Sequence, residues 1–173
     1  MHEDIINRYI QSYNDRDIEG MLDCVTEDVV FENISNASQS MRLEGRDQMG
    51  EVARLSGNAF SYRRQRLISI VIGEGKAAAE IEFEGKAAVD LPNGVRAGET
   101  VKIRGASFFE FRGRLLSRIA DYPFDEYWSP LYSFPSQIQP HIHLLLAKRE
   151  RVKPKYPFKE LLKTVRPNFY LQG

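Results

Sequence analysis

The sequence predicts an α+β fold: a curved antiparallel sheet with three N-terminal helices packed on one face. Two observations carry this. Apolar residues recur every three or four positions in the first segments, and from Phe60 onward the period changes to two. Turn-forming clusters then separate the alternating runs, at Gly73-Glu74-Gly75, Pro92-Asn93-Gly94 and Arg112-Gly113.

Taken in order, Ile5, Ile6, Tyr9, Ile10 and Tyr13 form the apolar stripe of a first helix, with Glu3 and Asp4 suited to its positive end. Asn14 to Asp17 is a turn, and Asp17 caps a second short helix carrying Ile18, Met21, Leu22 and Val25. Val29-Val30-Phe31 reads as a short strand ending at Glu32-Asn33. A polar loop, Ser35 to Ser40, leads through Gly45 to a third helix from about Asp47 to Leu55, stopped by Gly57. Four strands follow: Phe60 to Ile72, Lys76 to Ala88, Val101 to Phe111 and Leu115 to Tyr122. Helices laid over such a sheet leave a cavity between the layers, where ligand sites are commonly found.

Composition narrows the function classes. At 173 residues, 42% hydrophobic and 28% charged, the chain can bury a core and is not a disordered segment. Twenty-four basic and 24 acidic side chains cancel, so no overall field draws in nucleic acid. The single cysteine, Cys24, excludes an internally stapled scaffold, and its apolar neighbours mark it as a buried thiol. No basic region precedes an apolar stretch at the N-terminus, and no apolar run approaches membrane-spanning length. A soluble, cytoplasmic protein without membrane or nucleic-acid partners is expected.

Charge and proline divide the chain near Pro123. Residues 1–122 hold 16 basic and 20 acidic side chains, whereas residues 141–173 hold 8 basic and 2 acidic. Seven of the eight prolines fall at or after Pro123. The expected division is a compact domain over 1–122 and an extension over 123–173. The extension is rich in aromatic residues, including Trp128, and then basic; a strap, a lid over the cavity and a dimer arm are all consistent with it.

Several short patterns occur together within residues 5–122: Tyr9-x-x-x-Tyr13-Asn14-x-x-Asp17, Glu27-Asp28-Val29, Leu43-Glu44-Gly45-Arg46 and Phe109-x-Phe111-x-Gly113-Arg114-Leu115, with Ala120-Asp121-Tyr122 at the end. In that order they resemble the nuclear transport factor two-like superfamily, in particular its SnoaL-like branch. The resemblance implies a cone-shaped α+β domain, a cavity for a small apolar organic ligand, and a homodimer. Fold alone does not fix the reaction, because isomerases, dehydratases, cyclases, hydrolases and non-enzymes share it.

Comparison with particular branches of the superfamily singles out side chains. Tyr9 falls on the oxyanion-binding tyrosine of ketosteroid isomerases, but Asn33 falls on their catalytic base and Ser107 near their second donor. An amide cannot carry a proton as a carboxylate does, which argues against steroid-type isomerisation. Limonene-type epoxide hydrolases give another pattern, in which Asn33 matches a water-holding asparagine and Phe31 replaces a tyrosine. Asp121 matches their last-strand aspartate, and Glu82 retains a central-strand carboxylate. SnoaL-type cyclases also point to Asp121.

The resemblance thus implies Asp121, Glu82 and Tyr9 as catalytic groups, with Asn33, Ser107 and Phe31 contacting substrate; Trp128 of the aromatic extension is a further expected substrate contact. Each has a plainer reading. Asp121 at a strand end can pair with Arg118 or Arg104 at the surface. Glu80, Glu82 and Glu84 alternate opposite Arg64, Arg66, Lys102 and Arg104, which describes a cross-strand ladder on an outer face; a register shifted by one would turn Glu82 inward beside Asp121. Tyr9 can be a core tyrosine with a bonded hydroxyl. His141 and His143 share a face if extended, yet nothing near them completes a metal site. No metal or other cofactor is expected. Acid–base chemistry on a small apolar molecule is the leading expectation, and a ligand-binding or dimerising module without catalysis is the alternative.

Overall fold

The chain begins as an amphipathic helix for the reasons its sequence gives. In α1 (His2–Asp15), Ile6, Tyr9 and Ile10 are buried, and Glu3 and Asp4 occupy the first turn. The computed structural model describes residues 2–34, 41–91 and 94–123. Beyond α1, Arg16 adopts a left-handed backbone (φ 60°), and its guanidinium donates to the carbonyls of Phe60 at 2.6 Å and Ser61 at 3.0 Å. Asn14 adds a reciprocal tie: it donates to the Gln65 carbonyl at 3.0 Å and accepts from the Gln65 amide at 2.7 Å. These bonds fix the end of the helix over the sheet.

Asp17 caps α2 (Ile18–Leu22), accepting from the Gly20 amide at 2.9 Å as its sequence position predicts. β1 (Val25–Asn33) begins earlier than the Val29 start read from the sequence. β2 (Met41–Glu44) is too short for its alternation to register in sequence, and it pairs antiparallel with β1. α3 (Arg46–Ser56) follows Gly45, whose φ of 85° suits glycine. The remaining strands are β3 (Phe60–Ile72), β4 (Lys76–Ala87), β5 (Thr100–Arg112) and β6 (Leu115–Pro123), close to their predicted limits.

The six strands lie in the order β2-β1-β6-β5-β4-β3. Neighbours run antiparallel except β1 and β6, which are parallel. Register shifts at Phe60/Tyr62 and Leu67/Ser69 in β3, and at Glu110/Phe111 in β5, bend the sheet. Its concave layer meets the helices around Ile6, Cys24, Val25, Val29, Leu116 and Ile119, all at 1% exposure or less. Each such aliphatic side chain contributes roughly 1.5–3 kcal/mol through burial. Smaller clusters form around Met41, Leu43 and Val52, and around Ala59, Phe60, Ala87 and Leu91. The three clusters frame a space that side chains do not fill.

The opposite sheet face carries charge. Glu82 accepts from Arg66 and lies 3.8 Å from Arg104, which also pairs with Glu80 at 3.3 Å, while Lys102 meets Glu84 at 3.6 Å. No helix among the described residues is long and apolar enough to cross a membrane. The aromatic and basic extension, with Trp128 and the histidines at 141 and 143, lies outside the described residues.

Candidate functional site

Strand register assembles the site. Asn33 of β1 pairs with Asp121 of β6, which pairs with Ser107 of β5, which pairs with Ala79 of β4. Directly opposed residues share a face, so the row presents an amide, a carboxyl and a hydroxyl side by side above a small alanine. On β4 the inward set is Ala79, Ile81 and Phe83, which turns the glutamates between them outward. The row borders a cavity of about 210 Å³ between helices and sheet. Phe31, Met41, Met49, Phe60, Ile81 and Phe83 supply much of its apolar wall.

Asp121 is the chemically distinctive group. Ser107 Oγ donates to its Oδ1 at 2.6 Å, and Ser107 is itself buried. Loss of hydration pushes the Asp121 carboxyl up to about 6, against the smaller, opposing effect of the Ser107 bond. The backbone is held as well, because the Ile34 amide donates to the Asp121 carbonyl at 2.8 Å. The surface pairing with Arg118 or Arg104 does not form; Arg118 instead binds Glu32, at 2.7 and 2.9 Å.

From the helix side, Tyr9 and Tyr13 reach the same cavity. Burial raises the Tyr9 phenol well above its ordinary value, and the Asp121 charge raises it further. Burial also raises Tyr13, which the Arg63 guanidinium partly offsets. Both hydroxyls therefore stay protonated, as donors, across the working pH range. Asn33 contributes a buried Oδ1 on the cavity wall with no hydrogen-bond partner among the described residues, so it can accept from a group in the cavity.

The cavity brings together Asp121, Tyr9, Asn33, Ser107 and Phe31. Glu82 requires a correction. It faces away from the cavity, and its bond from Arg66 holds its carboxyl below the usual range, so it forms no proton-sharing pair with Asp121. Alternation fixed by Ile81 and Phe83 facing inward is the physical reason. Trp128 lies outside the described residues.

Among the other polar residues that line the cavity, Tyr13 and Arg63 stand out, and the sequence did not assign them to the site. Tyr13 shares the first-helix stripe with Tyr9, one turn on. Arg63 sits inward on β3, its guanidinium 4.1 Å from the Tyr13 ring centroid and donating to the Tyr13 carbonyl at 3.1 Å. The signal was the period of two: with Arg64 and Arg66 assigned to the outer ladder, Arg63 must point the other way. Among the described residues, no group of three or more His, Cys, Asp or Glu converges to hold a metal.

Comparison with known proteins now has a geometry to meet. The sequence model of the SnoaL-like domain matches residues 6–119. The chain belongs to the SnoaL-like family. Among solved structures, it is similar to a protein provisionally assigned as a polyketide cyclase from Silicibacter sp. TM1040, at 26% identity over 70% of this chain and 88% of that one, TM-score 0.56. A second provisional polyketide cyclase, from Xanthomonas campestris pv. campestris, is 20% identical over 70% and 88%, TM-score 0.57. A Catenulispora acidiphila protein with a ketosteroid isomerase-like fold, solved with trimethylamine, is 10% identical over 77% and 91%, TM-score 0.60. The latter two likenesses establish fold only. A search of curated proteins finds no match. The SnoaL-like match ends at residue 119, two residues before Asp121, so the carboxyl's role rests on this chain's own geometry.

Proposed function

We propose that this SnoaL-like protein performs acid–base chemistry on a small, mostly apolar organic molecule, with Asp121 as the proton carrier. The observation that carries the reading is a carboxyl on the cavity wall, bonded to Ser107 and raised to about 6 by burial. Near neutrality such a group is ionised enough to accept a proton and basic enough to pull one from a weak acid. Ser107 holds Oδ1, leaving Oδ2 to take the proton. Tyr9, kept protonated, donates to the ligand oxygen on which charge accumulates. The unpartnered Asn33 Oδ1 accepts from a ligand hydroxyl or a water. Ring closure, isomerisation and water addition each use this set, and relatives provisionally assigned as polyketide cyclases fit the same class.

A test needs no knowledge of the natural substrate. The α-protons of 2-tetralone exchange in D2O when a base is held against them, and NMR follows the loss of signal. Wild-type protein is expected to accelerate exchange over buffer, with the rate rising as pH increases through about 6 and Asp121 ionises. Asp121→Asn should lower the protein-dependent rate by about 10²–10⁴-fold. An undiminished rate in that variant removes Asp121 from the chemistry. The second reading, a binding module without catalysis, is favoured by Asn33 standing at the isomerase base position and by Glu82 facing outward. It predicts that 2-tetralone binds while exchange stays at the buffer rate.

A further inference from the structure

We infer that the cavity selects a flat apolar molecule bearing one carboxylate, and that Arg63 is the residue that recognises the carboxylate. This deepens the reading of the cavity as a reaction site by assigning the charged end of its substrate.

Arg66, three positions along β3 from Arg63, pairs with Glu82, and Arg118 on β6 pairs with Glu32. Arg63 lines the cavity, yet it pairs with no carboxylate among the described residues. Its Nη2 donates to the Tyr13 carbonyl, its guanidinium also bonds the Tyr13 side chain, and its buried Nε has no acceptor among the described residues. Arg16, the other guanidinium on the wall near α1, gives its donors to the Phe60 and Ser61 carbonyls, whereas the half-buried Arg63 keeps donors facing the cavity that an anion can use. Asp121 is not that anion, since a guanidinium in contact would pull its carboxyl down, whereas burial has pushed it up. On the reading of the cavity as a reaction site, the anion that meets Arg63 is part of the ligand. A planar fork with spare donors fits a carboxylate better than a neutral carbonyl, and stacking on Tyr13 fixes the plane of the fork. Walls including Phe31, Phe60, Ile81 and Phe83 suit a flat hydrocarbon body between this end and Asp121.

The test compares 2-naphthoate with 2-naphthamide, two probes of nearly equal shape, by calorimetry at pH 7.5. Wild-type protein should bind the acid about tenfold more tightly than the amide or better. Arg63→Met should bring the two affinities within about twofold, and Arg63→Lys, with charge but no fork, should fall between. Because Arg63 also secures the end of α1, Arg63→Gln provides a second neutral variant, with a polar side chain in place of an apolar one; it should lose the preference equally. Asp121→Asn should keep it. Equal binding of the two probes by wild type, binding of neither, or a preference surviving in both neutral variants overturns the inference. Failure of the 2-tetralone exchange with the acid preference intact would remove the catalytic reading and leave Arg63 as the anion-recognising residue.

Discussion

The carboxyl of Asp121 is shaped by two opposing influences, and a single hydroxyl sets their balance. Burial raises it, and the 2.6 Å bond from Ser107 lowers it by favouring the charged form. Ser107→Ala removes the lowering influence, so the carboxyl must rise beyond about 6. The acid limb of the 2-tetralone exchange profile should move to higher pH by about 1, the scale of one hydrogen bond to a charged group. A limb that stays put would show that the serine does not govern the proton. Arg63 belongs to this scale too. Its inward place was hidden in sequence because a cation in a strand of cations reads as part of a solvated ladder, and only its facing against Arg64 and Arg66 distinguishes it.

At the level of elements, the site depends on how closely β5 and β6 run past one another. Gly105, two residues before Ser107, lies opposite Pro123, and a Cβ there would sit 2.7 Å from the Tyr122 carbonyl oxygen and 3.2 Å from the Pro123 Cα. Both are backbone atoms and cannot rotate aside. Gly105→Ala should therefore part the strands beside the Ser107–Asp121 bond, at a cost of roughly 1–3 kcal/mol in urea denaturation. Unchanged stability would mean the strands yield without strain. The strands themselves were legible in sequence, since β3 to β6 alternate cleanly and their turns carry glycine. The parallel pairing of β1 with β6 was not, because it joins residues far apart in sequence without a turn to announce it. That pairing is what sets Asn33 beside Asp121. Glu82 shows the converse: the period of two narrows its position to two faces, and only the inward packing of Ile81 and Phe83 selects the outer one.

For the whole molecule, a proton carrier kept in a poorly hydrated place makes the fold pH-dependent. The Asp121 carboxyl has an ordinary value of 3.8 and is raised to about 6 in the folded chain, so the folded state holds its proton to higher pH than the unfolded state does. Below about pH 4 both states are protonated and no penalty applies. As pH climbs through about 6, stability falls by about 3 kcal/mol in total, the energy equivalent of that difference. Surface carboxylates act in the opposite sense at lower pH. Arg112 lowers Asp28, and Arg66 lowers Glu82, so their contributions are lost on acidification rather than on alkalinisation. Comparing wild type with Asp121→Asn cancels these distant groups, because they are common to both proteins. The variant should match wild type near pH 4 and exceed it by up to about 3 kcal/mol at pH 8, measured by urea denaturation at each pH. A stability difference that does not change with pH would mean the carboxyl is well hydrated in the folded protein. Asp121 would then lack the raised affinity for protons on which its proposed part in catalysis rests.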